Sequence, residues 1–366
     1  VTLIGNWPGS IPLTTTTADP DLNEAELDLE RWVAQRVATY RFDLTNGVTG
    51  EQLGRIYPIR QGATLSHDTT KTTKRELRLN LGVDDTAAVN PLTDRIAVSM
   101  LLGGQQYPLG RYMFTDETDA VSTGGSRGSL VLVDEMFLID QQISSGFGPT
   151  TAIQEAVLQL LAGLPLPAVV VEASPFSALG GWAPGSGRGQ ILNAYATQGD
   201  YMTPWLDNRG AFRMIRTVDP DTAVLTIDFD RGARVIADSI SETSDLLSAP
   251  NRFIVTSTSG DAFSTPILGT YDVPPSAPYS IAQRGFVIPQ TVNLQLANTT
   301  QANAAARNLG IRQSVFRRTQ LATAPDPRHD SYDVVRWQGV NWLELGWSLT
   351  LQPGAPMTHV LRRSFQ

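Results

Sequence analysis

Asn90-Pro91-Leu92-Thr93-Asp94-Arg95-Ile96-Ala97-Val98-Ser99-Met100-Leu101-Leu102-Gly103-Gly104-Gln105-Gln106-Tyr107-Pro108-Leu109-Gly110 has a counterpart later in the chain. It is Asp326-Pro327-Arg328-His329-Asp330-Ser331-Tyr332-Asp333-Val334-Val335-Arg336-Trp337-Gln338-Gly339-Val340-Asn341-Trp342-Leu343-Glu344-Leu345-Gly346, aligned without a gap. Pro91 falls on Pro327, Asp94 on Asp330, Val98 on Val334, Gly103 on Gly339, Leu109 on Leu345 and Gly110 on Gly346. The number of identities proves little. Their order says more, because both copies read as proline turn, aspartate, strand, glycine turn, strand. Aspartate bonds nearby backbone N–H groups in turns and glycine accepts positive φ there. Pro91, Asp94, Gly103 and Gly110, with Pro327, Asp330, Gly339 and Gly346, are therefore expected to set two equivalent hairpins. The fold class expected is mainly β with an α+β insertion: two related β-barrel domains separated by a small α+β domain.

Working outward, strand patterning fills both flanks. Tyr40, Phe42 and Leu44 alternate with polar neighbours and stop at Asn46-Gly47, a hairpin turn signal. Leu77, Leu79 and Leu81 alternate, Tyr112 and Phe114 follow, and Leu130 to Ile139 is an apolar stretch. Beyond the centre, Leu225, Ile227 and Phe229, then Phe253 and Val255, then Val292, Leu294 and Leu296 repeat the pattern. Between these flanks the period changes. Ile153, Ala156, Val157, Leu160 and Leu161 form one helical stripe, Thr151 with Gln154 reads as a capping box, and Gly163 and Pro165 end the helix. Ala168 to Val171 reads as a buried strand and Ile191 to Tyr195 as a second short helix. Trp205-Leu206, Asp207-Asn208-Arg209-Gly210 and Phe212 to Ile215 read as a hairpin. Residues 1–28 are polar and aperiodic, an arm expected to order against a neighbour. The domains expected are 29–148 for the first barrel, 149–220 for the α+β unit and 221–366 for the second barrel, with a helix at about 298–313. A short helix with Leu22, Leu29, Trp32 and Val33 on one side overlaps the end of the arm.

Length and composition limit the function classes. At roughly 100–200 residues per domain, 366 residues hold two or three domains. Charged residues make up 17%, below the usual share of about 25%, while 31 glycines and 23 prolines favour strands and turns. A lightly charged surface hints at burial in an assembly. No stretch approaches the ~20 apolar residues of a membrane helix, so no membrane insertion is expected. Net charge is −8 and no Lys/Arg run exceeds a pair, which argues against a phosphate-gripping nucleic-acid protein. With no cysteine there is no disulfide framework, thiolate nucleophile or Cys-ligated metal. Val1 to Trp7 lack a basic segment leading into an apolar one, so no export signal is expected. Lys71 and Lys74 are the only lysines among 28 basic residues, a bias that fits a GC-rich genome.

Candidate chemistry is sparse. His67, His329 and His359 stand in separate segments, unlike the paired imidazoles of most zinc sites, so a surface or packing role is expected and no metal or cofactor. Gly124-Gly125-Ser126-Arg127-Gly128 spells Gly-x-Ser-x-Gly but lacks the strand-to-helix setting of a nucleophile elbow, and reads as a turn entering a strand. Gly185-Ser186-Gly187-Arg188-Gly189 lacks the Gly-Lys-Ser/Thr ending of a phosphate loop. Asp116/Glu117, Asp219/Asp221 and Asp228/Asp230 could be glycosidase carboxylates, but such pairs are common in turns. Trp337, Trp342 and Trp347 could make a sugar platform, yet aromatics in strands usually find something to bury against. No catalytic residue is assigned.

Two stretches resemble a known family. Ala304-Ala305-Ala306-Arg307-Asn308-Leu309 opens a helix, followed by Ala324-Pro325-Asp326-Pro327-Arg328-His329-Asp330 and Ser331-Tyr332-Asp333-Val334-Val335. Ala194-Tyr195 through Trp205-Leu206-Asp207-Asn208-Arg209-Gly210-Ala211-Phe212 is the second. Together they resemble the tail hub proteins of siphophages, minor tail or baseplate hub proteins, and the arginine bias suggests a phage of a GC-rich actinobacterial host. The resemblance implies two tube-type β-barrels per subunit and a homotrimer forming a pseudo-sixfold ring at the virion tail tip, assembled in the bacterial host cytoplasm. It implies as partners the distal tail protein ring, a central tip or fibre protein and the tape measure protein. Genomic DNA would pass through the channel without specific binding. The role implied is structural, not enzymatic. A glycan-binding receptor-recognition tail protein and a β-rich glycoside hydrolase are the competing readings.

Overall fold

The computed structural model describes residues 37–58, 62–82, 89–117, 126–148, 151–231, 235–244, 248–257, 267–313 and 317–363. The N-terminal arm and the helix expected at its end lie outside them, as do Gly124 and Gly125. The first strand region comprises β1 (Thr39–Asn46), β2 (Gln52–Ile56), β3 (Thr64–Asp68), β4 (Arg75–Gly82), β5 (Asp94–Leu102), β6 (Gln105–Glu117) and β7 (Ser126–Asp134). Its elements follow from alternation. Leu77, Leu79 and Leu81 are fully buried on one side of β4, and Arg78 between them is exposed. After β1, Asn46 Oδ1 accepts the N–H groups of Val48 and Thr49, each at 2.9 Å, which turns the chain into β2.

The middle stretch forms α1 (Met136–Ile139), α2 (Ile153–Leu161), β8 (Val169–Val171), α3 (Arg188–Gln198), β9 (Trp205–Leu206) and β10 (Phe212–Met214). The apolar stripe of α2 is buried as expected. Its capping box is not formed: Ala152 is the N-cap with no side-chain cap, and Gln154 Nε2 instead donates to Val171 O at 2.8 Å. Tertiary contact with β8 has taken the amide that the cap needed. β10 pairs in parallel with β8 and antiparallel with β9, giving a small three-stranded sheet under the helices.

The last stretch holds β11 (Ile227–Asp228), β12 (Val235–Ser244), β13 (Arg252–Ser257), β14 (Ile267–Asp272), α4 (Ile281–Arg284), β15 (Pro289–Asn293), α5 (Thr299–Gln313), β16 (Arg317–Thr323), β17 (Val334–Trp337), β18 (Val340–Thr350) and β19 (Met357–Arg363). These strands divide. β14-β13-β15 make a separate sheet, and its core is closed by Ala302, Ala305, Ala306 and Leu309 of α5. The contact is close: a Cβ on Gly269 would lie 2.2 Å from the Ala302 carbonyl carbon, and one on Gly310 would lie 2.6 Å from the Tyr271 ring. The glycine that weakens α5 by propensity is thus where a tyrosine packs on it. Gly269→Val is expected to cost about 1–3 kcal/mol through this overpacking, read as a shifted urea midpoint without a change in slope.

The remaining strands join the first region in one sheet of order β12-β16-β19-β18-β3-β4-β7-β6-β5-β1-β2, with β17 and β11 attached beside β18. The protein is mainly β with an α+β insertion, but among the described residues this order has two ends and does not close into a barrel. The stitch between early and late chain is β3 against β18, where His67 faces Trp347 and Asp68 faces Gly346. Trp347, Leu349 and Met357 accordingly share one core with Leu65, Leu77, Ile96 and Leu132.

Candidate functional site

Both copies of the repeated stretch form a hairpin closed by a glycine-containing turn. Pro91 lies in the turn before β5, and Asp94 opens the strand, its carboxylate accepting Asn90 N at 2.8 Å and Thr93 Oγ1 at 3.0 Å. Gly103 and Gly104 make the turn to β6, with φ of 59° and 83°. In the later copy Gln338 and Gly339 join β17 to β18 with φ of 52° and 72°, their N–H groups bonded to Asp230 at 2.6 and 2.7 Å. Such turns match the right-handed twist of the paired strands. In the first copy the register slips at Leu109 within the β5–β6 hairpin; in the later copy β17 and β18 stay in register, and the slip at Leu345 falls between β18 and β19. A Cβ on Gly346 would stand 2.4 Å from His67 O, so only glycine lets β3 approach there.

The two copies differ in the segment before the hairpin. Pro91 to Thr93 is a surface turn, whereas the 326–333 loop is buried between three parts of the molecule. From β4, Arg75 Nη2 donates to Asp330 Oδ1 at 2.6 Å, and Arg75 itself is 2% exposed. From β9 and the turn after it, Trp205 Nε1 donates to the same oxygen at 3.1 Å. Asn208 Nδ2 donates to Pro327 O at 3.3 Å and His329 O at 3.0 Å. Just before β9, Thr203 Oγ1 bonds Tyr332 OH, and Lys74 Nζ donates to Thr203 Oγ1 at 2.9 Å. From β3, His67 Nε2 bonds Ser331 Oγ at 2.7 Å while its ring stacks on Trp347.

Behind the loop the chain's three histidines converge, with His329 and His359 sharing one carboxylate. Glu344 of β18 is fully buried, with Oε2 2.7 Å from His329 Nδ1 and Oε1 2.6 Å from His359 Nδ1. His359 Nε2 bonds Thr323 Oγ1 at 2.8 Å, and His329 Nε2 is buried without a hydrogen-bond partner. Burial alone would raise the Glu344 pKa, but the two imidazoles and their hydrogen bonds hold it at about 2. Asp333 lies beside them, and burial followed by the Glu344 charge pushes its pKa to about 7. Burial presses His329 down, yet Glu344 and the neighbouring aspartates outweigh it and raise its pKa. Burial, then the charge on His329, lowers His359. His67 is lowered well below its ordinary value, by burial and then by Arg75.

His329, Glu344 and His359 place their ligand atoms within 4.8 Å of one another, so the donor types suit a zinc ion. The spacing does not. A tetrahedral ion bound at about 2.1 Å keeps its donors roughly 3.4 Å apart, whereas each Nδ1 here sits at hydrogen-bond distance from its own oxygen. At these distances the groups are spaced as proton-sharing pairs.

The other candidates resolve structurally. Trp337, Trp342 and Trp347 are buried, leaving no sugar platform among them. Asp219 Oδ1 and Asp228 Oδ1 accept the N–H groups of Asp221 and Asp230, the turn chemistry of such pairs. The Asp116 and Glu117 side chains lie outside the described residues. Ser126 opens β7 rather than an elbow. At Gly185–Gly189 a Cβ on Gly189 would meet Asp140 Oδ1 at 2.0 Å, so a carboxylate already fills the start of α3 where a phosphate would sit.

No family model matches the chain, and no curated protein matches it. Its fold is nevertheless shared with solved structures. It aligns with a tail protein from Neisseria meningitidis MC58 at 16% identity and TM-score 0.61, over 89% of this chain and 97% of that one. The 43 kDa tail protein of prophage MuSo2 from Shewanella oneidensis aligns at 12% identity and TM-score 0.59, over 89% and 99%. Prophage tail protein gp18 from Listeria monocytogenes EGD-e aligns at 9% identity and TM-score 0.57, over 88% and 95%. The chain has the fold of phage tail proteins.

Proposed function

We propose that this chain is a structural protein of a phage tail, a hub subunit that forms a trimeric ring at the distal end of the tail. The observation that carries the reading is the extent of the likeness to a tail protein, 89% of this chain against 97% of the other. Fold does not fix function by itself, but three features of this chain support the same role. Two glycine-turned hairpins per copy give a trimer six related strand elements, the means of matching a sixfold tube to a threefold tip. The sheet ends in β2 and β12, strands with one free edge each among the described residues. Such edges are liabilities unless paired, and pairing to the next copy covers them. The net charge of −8 suits a channel through which DNA slides without sticking. In this role the 1–28 arm docks on a neighbouring tail ring, and the partners are the distal tail protein, a central tip or fibre protein and the tape measure protein.

Interrupting translation of this chain in the infecting phage tests the role. Electron micrographs of the lysate should show filled heads without finished tails, and supplying the chain in trans should restore them. Normal tails that merely fail to adsorb would move the assignment to receptor recognition.

A further inference from the structure

The assembly role leaves the buried histidines unexplained. They gather where the 326–333 loop is wedged between β3–β4, the turn after β9 and β18. The loop is held there rather than relaxed: Tyr332 has φ 65°, a left-handed conformation that a bulky side chain adopts only where its surroundings hold it. Its ring is pinned edge-on by Trp205 at 5.3 Å and lies under Lys74 Nζ at 5.6 Å.

His67 is the member least able to accept charge. Its Nδ1 is buried without a hydrogen-bond partner, and one ring face is taken by Trp347. Cations stand on the β4 side, Lys74 and Arg75, with Arg75 committed to Asp330 and near Asp134 of β7 and Asp207 of the β9–β10 turn. On the far side are Glu344 of β18, His329, Asp326 and Asp333 of the loop or its end, and His359 of β19. Asp326 is already engaged by Arg328 at 2.6 Å.

We propose that the 326–333 loop is an acid-released latch: protonation of His67 detaches it from β3 and from the middle unit, opening the β3–β18 seam while the rest of the fold stays closed. The sign follows from the groups present. His67 and His359 are held neutral when closed and regain their ordinary affinity for protons when freed, so closure is favoured above pH ~6.5 and weakens as pH falls below it. His329, raised when closed, is charged in both states below that pH and drops out there. Asp333 keeps its proton up to about 7 when closed and loses it when freed, which cancels one imidazole. Opening therefore takes up a net of about one proton once pH is well below 6.5; because a freed imidazole is only half protonated at pH 6.5, the change between pH 6.5 and 5 is about tenfold.

Amide hydrogen exchange of the full chain, corrected for intrinsic rates, reads this directly. Protection over residues 64–82 and 326–350 should fall about tenfold between pH 6.5 and 5, while β5 and β6 keep theirs. His67→Gln, which cannot charge, should flatten the dependence; Asp333→Asn should steepen it towards two protons. Flat protection in the wild type, or an unchanged slope in H67Q, overturns the latch. Should H67Q not fold, the three imidazoles of the wild type serve instead, because the chain has only these. A His67 signal that titrates at an ordinary pKa with the seam still protected also overturns it.

Discussion

Asp330→Ala is expected to lower stability by about 3–5 kcal/mol, enough to unfold many domains of this size outright. The side chain is only a quarter exposed and serves three donors: Arg75 Nη2, Trp205 Nε1 and Ser331 N. Removing it strands the Arg75 guanidinium, whose other carbonyl partner, Leu109 O at 3.4 Å, cannot neutralise a charge. Most of the loss comes from the Arg75 charge, which keeps only the nearby Asp134 and Asp207 as counter-charges, and not from the missing contact itself. Arg75→Met combined with Asp330→Ala should therefore recover much of the loss, as replacement of a buried pair by apolar groups often does. Urea unfolding of the single and double variants checks this. In the phage, D330A should reduce virion yield. A single variant as stable as the wild type would show that the junction is not held through Asp330.

Glu344→Ala is the second large effect. It leaves two buried Nδ1–H groups facing a void and removes the anion that keeps His329 charged, a loss of about 3–5 kcal/mol at neutral pH. The pH dependence separates it from a simple cavity. The Glu344 pKa is depressed to about 2 in the folded protein, so its contribution is full above its ordinary value of 4.5 and disappears as pH falls towards 2. A shift of that size corresponds to about 3 kcal/mol. Wild type and E344A should thus converge in stability towards pH 2. A difference that persists undiminished to acid pH would assign the effect to packing alone.

Much of the fold was legible because its signals are local. The stripe from Ile153 to Leu161 placed α2 with its buried face. The sheet division was not legible. β13 pairs in parallel with β15, across α4 and the Pro274–Pro278 stretch, and alternation within a strand carries no information about its partner. The capping box failed for a related reason, since Gln154 found a tertiary acceptor. The histidine cluster was missed because His67, His329 and His359 share no spacing and meet only when β3 pairs with β18. One signal was present: Leu65-x-His67 and Met357-x-His359-x-Leu361 each place an imidazole on the inward side of an alternating strand. A polar group at such a position has to find a buried partner.

Electron microscopy of the assembled tail, reconstructed without imposed symmetry, tests the central claim most directly. Three copies are expected around an axial channel, each offering two related hairpins so that six related elements ring the lumen, with β2 and β12 paired to neighbouring copies. Six or more copies with one-unit spacing, or a location on the outside of the tail, would contradict it.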